Sequence, residues 1–252
     1  MISSISLKKH GALVEAHTKY YTVSIYKFIN SIMSHNTVTE QMTQAGQKIE
    51  HDSFAIVDNE VGIHNYTEAQ WQIVRRMIHA TADFEFNGLA RFHKQAVEAG
   101  LTAILQGAPI IADVEMICVG LSKPRLRHFG VTTHHFISDE DVIIQAKAEN
   151  TTRAIQAMRK AHRAGLLEDS IIAVGNAPTA LLEVIRLIKE NNVKPALIVG
   201  MPVGFVSAAE SKAELELISN VPWITTHGRK GGSTLVVAAI HALLALAEAQ
   251  SK

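Results

Sequence analysis

Thirteen histidines are spread over the 252 residues, and histidine is the side chain that gives or takes a proton near neutral pH. His79 has the most suggestive setting. It stands in TEAQWQIVRRMIHATAD, where Trp71, Val74 and Ile78 recur at helical spacing. Thr67, with Gln70 three residues on, forms a capping box at the start of that helix. With the apolar stripe turned to the core, His79 falls on its flank one turn beyond Arg75, where it can border a cleft and serve as a general acid. Against this stands the number of histidines, since most of them in any chain do no chemistry.

Other chemistry-bearing residues are tested by their spacing. His134 and His135 are adjacent, so in a strand they point to opposite faces and do not share a metal readily. No H-E-x-x-H, C-x-x-C or carboxylate triad has ligand spacing, and no metal is expected. Ser53 in HDSFAIVDNE lacks a G-x-S-x-G elbow, which argues against a hydrolase nucleophile. Asp113 ends the run APIIAD and either binds a ligand or caps the segment that follows; spacing alone leans to the cap. Arg153 opens the helix of TTRAIQAMRKAHRAG, where a cation opposes the helix dipole by about a few tenths of a kcal/mol. A nearby anion would remove that conflict, and so would a side chain that reaches solvent.

Positioning such groups falls to the last third of the chain. SIIAVGNAPTALLEVIRLI, ALIVGMPVGFVSAAESKAELELI and PWITTHGRKGGSTLVVAAIHALLALA each run from apolar strand through glycine loop to helix. This pattern predicts a parallel sheet with helices on both faces, and loops at the carboxyl ends of its strands that meet at one ligand site. Gly200, Pro202 and Gly204 exceed what a simple corner needs. A Walker A loop and a dinucleotide fingerprint are both missing, which weakens phosphate cofactors. A ligand with several carboxylates suits free N–H groups together with Arg153, Arg229 and Lys230. Upstream, PIIADVEMICV reads as a strand leading to the basic loop GLSKPRLRHFG.

Composition narrows the class further. Lys plus Arg equals Asp plus Glu at 24 each, so no net field draws the chain to nucleic acid or an anionic membrane. Cys118, alone in IIADVEMICVGL, reads as a small core residue, and a reducing cytoplasm is the expected setting. STLVVAAIHALLALAEA is interrupted by His241 and preceded by a glycine turn, and it reads as a buried helix in a soluble protein. No secretion signal is read at the N-terminus. Residues 1–45 form a polar, Ser/Thr-rich extension with an amphipathic patch over 20–33, and 46–252 read as one domain.

IEHDSFAIVDNE, VRRMIHATADFEF, GAPIIADVEMICVGL, IAVGNAPTAL, GMPVGFVSAAESK and GRKGGS together resemble the precorrin-8X methylmutase (precorrin isomerase) family of cobalamin biosynthesis. They occur in family order from about Ile49 to near the C-terminus. The resemblance implies a three-layer α/β/α domain with a mainly parallel sheet, forming a homodimer with its macrocycle site near the subunit interface. It implies a cofactor-free methyl migration from C-11 to C-12 of the tetrapyrrole precorrin-8X or its cobalt form, giving hydrogenobyrinic or cobyrinic acid. On the matching positions His79 is the proton donor, Ser53 contacts substrate, and Asp113 falls in the D-x-E-M segment, which loosens the capping reading. Arg153 takes the place of the substrate-binding arginine, although ENTTRA carries one residue more than the usual NTRSA. Gly200, Gly204, Arg229 and Lys230 complete the expected substrate site. The extension inherits nothing from the family. Two other readings compete: a corrinoid carrier of the same fold without turnover, and an unrelated phosphate-using enzyme.

Overall fold

The computed structural model describes residues 43–251. Of the expected N-terminal extension, residues 1–42 lie outside the described residues, the amphipathic patch at 20–33 with them. The described chain opens with α1 (Gln44–Glu60), whose N-cap Thr43 accepts a hydrogen bond from the Gly46 amide, so the helix starts just before the boundary read at residue 46. Then come α2 (Glu68–Thr81), α3 (Phe86–Leu89), β1 (Ala90–Phe92), α4 (Ala96–Leu105), β2 (Ile110–Ala112), α5 (Glu115–Gly120), α6 (Lys123–His128) and β3 (Thr133–His134). The second half runs α7 (Glu140–Ala148), α8 (Arg153–Arg163), β4 (Ile171–Val174), α9 (Pro178–Asn191), β5 (Leu197–Gly200), α10 (Ala208–Glu216), β6 (Trp223–Thr226) and α11 (Ser233–Gln250).

Among the described residues six strands form one sheet in the order β1-β6-β5-β4-β2-β3, with β1 antiparallel to β6 and every other pairing parallel. Strand side chains alternate between two cores. Ile110, Ala112, Ile171, Ala173, Leu197, Val199 and Ile224 face α2, α4 and α11. Ile111, Ile172, Val174, Ile198 and Trp223 face α8, α9 and α10. A central strand buried on both faces must be apolar at every position, which is why β4 and β5 read as unbroken aliphatic runs. The result is a three-layer α/β/α domain.

α11 is long and apolar enough to cross a membrane by length and composition. Its Leu235, Val236, Ile240, Leu243 and Leu244 are instead buried in the first core. His241, the polar break in that helix, accepts a hydrogen bond at Nε2 from the Ser122 amide at 3.0 Å, so this nitrogen carries no proton and the ring ties the basic loop to the core.

The run PIIADVEMICV does not form one strand. β2 stops at Ala112, and residues 115–120 are helical, with Met116 and Val119 exposed and Ile117 buried. Cys118 is half-buried there, not a deep core residue. Asp113 explains the break. It does not cap α5, whose N-cap is Val114. Fully buried, its carboxylate reaches across to the loop after β4 and accepts from the amides of Gly175 (3.0 Å), Asn176 (2.9 Å) and Ala177 (2.7 Å). Burial pushes this carboxyl up from the ordinary carboxylate range, and the three N–H donors pull it back.

Asn in place of Asp113 keeps the shape but turns an N–H₂ group toward amide donors. Asp113→Asn is expected to lower the unfolding free energy by about 2–4 kcal/mol in a urea titration, the cost of leaving buried donors unsatisfied. A change below about 0.5 kcal/mol would show that the clamp contributes nothing.

Candidate active site

The loops after β4, β5 and β6 meet backbone to backbone at the carboxyl edge of the sheet. A Cβ on Gly175 would lie 2.6 Å from Ser233 Cα, at the start of α11, and one on Gly231 would lie 2.3 Å from the Met201 carbonyl oxygen. No side chain fits at either place, so glycine is what allows the contact. Hydrogen bonds from the Gly232 amide to the Met201 carbonyl (2.8 Å) and from the Gly204 amide to the Arg229 carbonyl (3.3 Å) join the β5 and β6 loops. Gly204 has φ +155 and stands at the half-exposed rim. Gly200 has a different part: it is buried, and its Cβ position faces Leu215 and Leu181 at 2.9 and 3.0 Å, so its small size seats α9 and α10.

His79 stands on the last turn of α2, the helix end nearest the Asp83 and Glu85 tie to this edge. The capping box expected at Thr67 and Gln70 is present, and Trp71, Val74 and Ile78 are buried. His79 itself is exposed on the flank, its ring 4.9 Å from that of Phe54 on α1. The Arg75 guanidinium lies over the same Phe54 ring at 4.6 Å and donates to Asp58 at 2.8 Å. Partial loss of water around the imidazole holds its pKa below the ordinary histidine value, with Arg76 and Arg75 adding to this and Glu50 opposing it. Just beyond the helix, Asp83 and Glu85 take the ammonium of Lys230 at 2.6 and 3.0 Å, which fastens the His79 end of α2 to the β6 loop.

The cations of the edge therefore divide into two groups. Lys230 is spent on carboxylates within the chain, and its partners hold it charged, raising its pKa. Arg153 and Arg229 form no ion pair among the described residues, and Arg229 lies 5.6 Å from the Phe205 ring centroid. Arg153 is the first residue of α8, whose cap Thr152 shares a 3.0 Å hydrogen bond with Thr179 at the start of α9. That link carries Arg153 to the same edge as the β4 loop. Ser53 is half-exposed on α1 beside Phe54 and donates to the Ile49 carbonyl at 2.8 Å within its own helix. Asp113, with no exposed surface, reaches a ligand only through the loop it holds.

Two features were not read from the sequence. Phe205 and Val206 are 84% and 82% exposed on the β5 loop, an apolar rim above the backbone donors. Lys212 in SAAESK is fully buried in α10 beneath the β6 loop. Its only sequence signal is a lysine at a core-facing helical position. A separate hollow of about 360 Å³ lies between Thr67, Gln70, Lys94, Glu98, Leu101 and Gln250. It opens at the far end of α11 from Ser233, and 18 residues of helix span about 27 Å. It is remote from the glycine loops.

Known proteins resemble this chain in sequence and in fold. The Precorrin-8X methylmutase family model matches residues 48–246. The cobalt-precorrin-8 methylmutase of Leptospira interrogans is 52% identical over 211 residues, covering 82% of this chain and 96% of its own. That of Priestia megaterium is 50% identical over 216 residues, covering 86% and 95%. The solved precorrin-8X methyl mutase of Thermus thermophilus superposes with a TM-score of 0.75 at 49% identity, over 81% of this chain and 99% of that one. A match over nearly the whole domain, in sequence and in fold, places the chain in the precorrin-8X methylmutase family.

Proposed function

We propose that the chain catalyses the methyl shift from C-11 to C-12 of precorrin-8X or cobalt-precorrin-8, with His79 as proton donor. The observation that carries this reading is an exposed His79 imidazole at the end of a helix that the Lys230–Asp83 pair fastens to one of the three glycine loops. The two relatives described above bear the cobalt name, and the cobalt form is taken as the substrate.

In this mechanism the macrocycle lies flat on the loops. Arg153 and Arg229, which form no ion pair among the described residues, take side-arm carboxylates, and Phe205 and Val206 cover apolar ring surface. His79 gives a proton to the conjugated ring. The bond from the methyl to C-11 breaks as the bond to C-12 forms. The proton leaves again as the product takes its own tautomer, because substrate and product are isomers. The chain's contribution is orientation and a proton placed at one atom.

The reaction is assigned to a homodimer in the cytoplasm. Supporting a dimer, Ile49 and Ile56 stand seven residues apart on one face of α1, 67% and 54% exposed, with Ser53 between them.

His79→Ala is expected to lower kcat by about 10²–10⁴-fold or more, at unchanged thermal stability, followed by the visible spectrum of the tetrapyrrole. Normal turnover would remove His79 from the chemistry. Binding without turnover by the wild-type chain would make it a carrier. A second expectation concerns pH. Only the imidazolium donates, so the rate falls as pH rises through the His79 pKa. In kcat/KM, which reports the free enzyme, the fall should be centred below the ordinary 6.5. A bound polyanion favours the imidazolium, and the limb in kcat should lie at higher pH. Coincident limbs, or a rate that rises with pH, would contradict the assignment.

A further inference from the structure

Among the described residues, Lys212 is the buried cation at this edge that the mechanism leaves without a task. It is the largest side chain with no exposed surface. A lysine in a nine-residue helix could turn its ammonium out to water. Its Nζ instead runs inward and donates to the Lys230 carbonyl at 2.6 Å and to Thr226 Oγ1 at 3.2 Å. The Thr226 hydroxyl donates to the same carbonyl at 2.8 Å. Among the described residues no carboxylate forms an ion pair with Lys212. Burial draws its pKa down to about 8, while Glu216 on the same helix acts in the other direction. A buried cation without an ion pair destabilises a fold, so its presence here points to something other than stability.

What the ammonium holds is a single peptide group with several dependants. One residue before it, the Arg229 carbonyl accepts from the Gly204 amide. One residue after it, Gly231 lies against the Met201 and Pro202 carbonyls at distances no Cβ would tolerate. From the same residue, the Lys230 side chain reaches Asp83 and Glu85 beyond the His79 helix. We propose that Lys212 is a positioning residue for the substrate: by gripping the Lys230 carbonyl from inside the protein, it fixes the 229–232 loop in the form that presents Arg229 and the loop amides to a carboxylate side arm. The proposal rests on the reading that this edge receives the macrocycle.

Lys212→Met keeps the apolar stem and removes the ammonium. A structural strut would lower the melting temperature on removal; loss of an unpaired buried charge is expected to leave it unchanged or raise it. Two assays then read the loop. The KM for cobalt-precorrin-8 should rise about tenfold with kcat within about threefold, the pattern of lost substrate positioning. Trypsin, which cuts after Arg229 and Lys230, should cleave the intact chain there about tenfold faster than wild type. An unchanged KM, or a lower melting temperature with unchanged cleavage, overturns the proposal. If Lys212→Met does not fold, Thr226→Val removes the other donor to the same carbonyl. It should raise KM about threefold, and an unchanged KM again overturns the proposal. If the wild-type chain binds no tetrapyrrole, the functional reading fails by itself. The trypsin rates need no substrate and still decide the clamp: faster cleavage supports it and equal cleavage overturns it.

Discussion

Three loops can share one sheet edge only because their backbones touch where side chains are missing. Gly175 against Ser233 and Gly231 against Met201 are the two contacts on which the edge depends. Close approach of main chain to main chain leaves amide groups of these loops near one another. It also brings the start of α11 beside the loop ends of β4 and β5. Hydrophobic packing builds the sheet and its two helical layers, but it does not specify this edge. The edge is specified by glycine, by the Asp113 carboxylate that gathers three amides, and by the carbonyl of Lys230 held from two sides.

The same edge uses most of its charge on itself. Arg75 is held by Asp58, Lys230 by Asp83 and Glu85, and Asp113 by backbone. These interactions fix geometry and leave little charge for a ligand. In the proposed mechanism Arg153 and Arg229 take the anionic side arms and His79 transfers the proton, a small functional set on a heavily cross-tied frame. A polyacidic ring that must be held still while one atom is protonated fits that division. Rigidity comes from pairings within the chain.

Much of this was legible in the sequence where the cause is local. Helical spacing and a capping box placed His79 on the flank of α2, and three strand–glycine–helix units announced a parallel sheet with one loop-lined edge. Readings were lost where the cause lies far along the chain. The strand through PIIAD ends at Ala112 because Asp113 has partners 62 to 64 residues away. Lys230 reads as a free cation beside a glycine loop, yet its carboxylate Asp83 is 147 residues earlier. Gly200 resembles the other loop glycines in sequence, but it is small to admit Leu181 and Leu215. Lys212 looks like an ordinary helix lysine until the fold shows which way its side chain runs.

The central claim is that the glycine-loop edge seats the macrocycle with His79 beside it, and a crystal structure with the tetrapyrrole bound tests it most directly. The expected result is a ring lying across the β4, β5 and β6 loops with a His79 ring nitrogen about 3–3.5 Å from a ring atom, close enough for proton transfer. A ring seated in the hollow beside Lys94 and Glu98, or one at the loops with His79 turned away from it, would contradict the account.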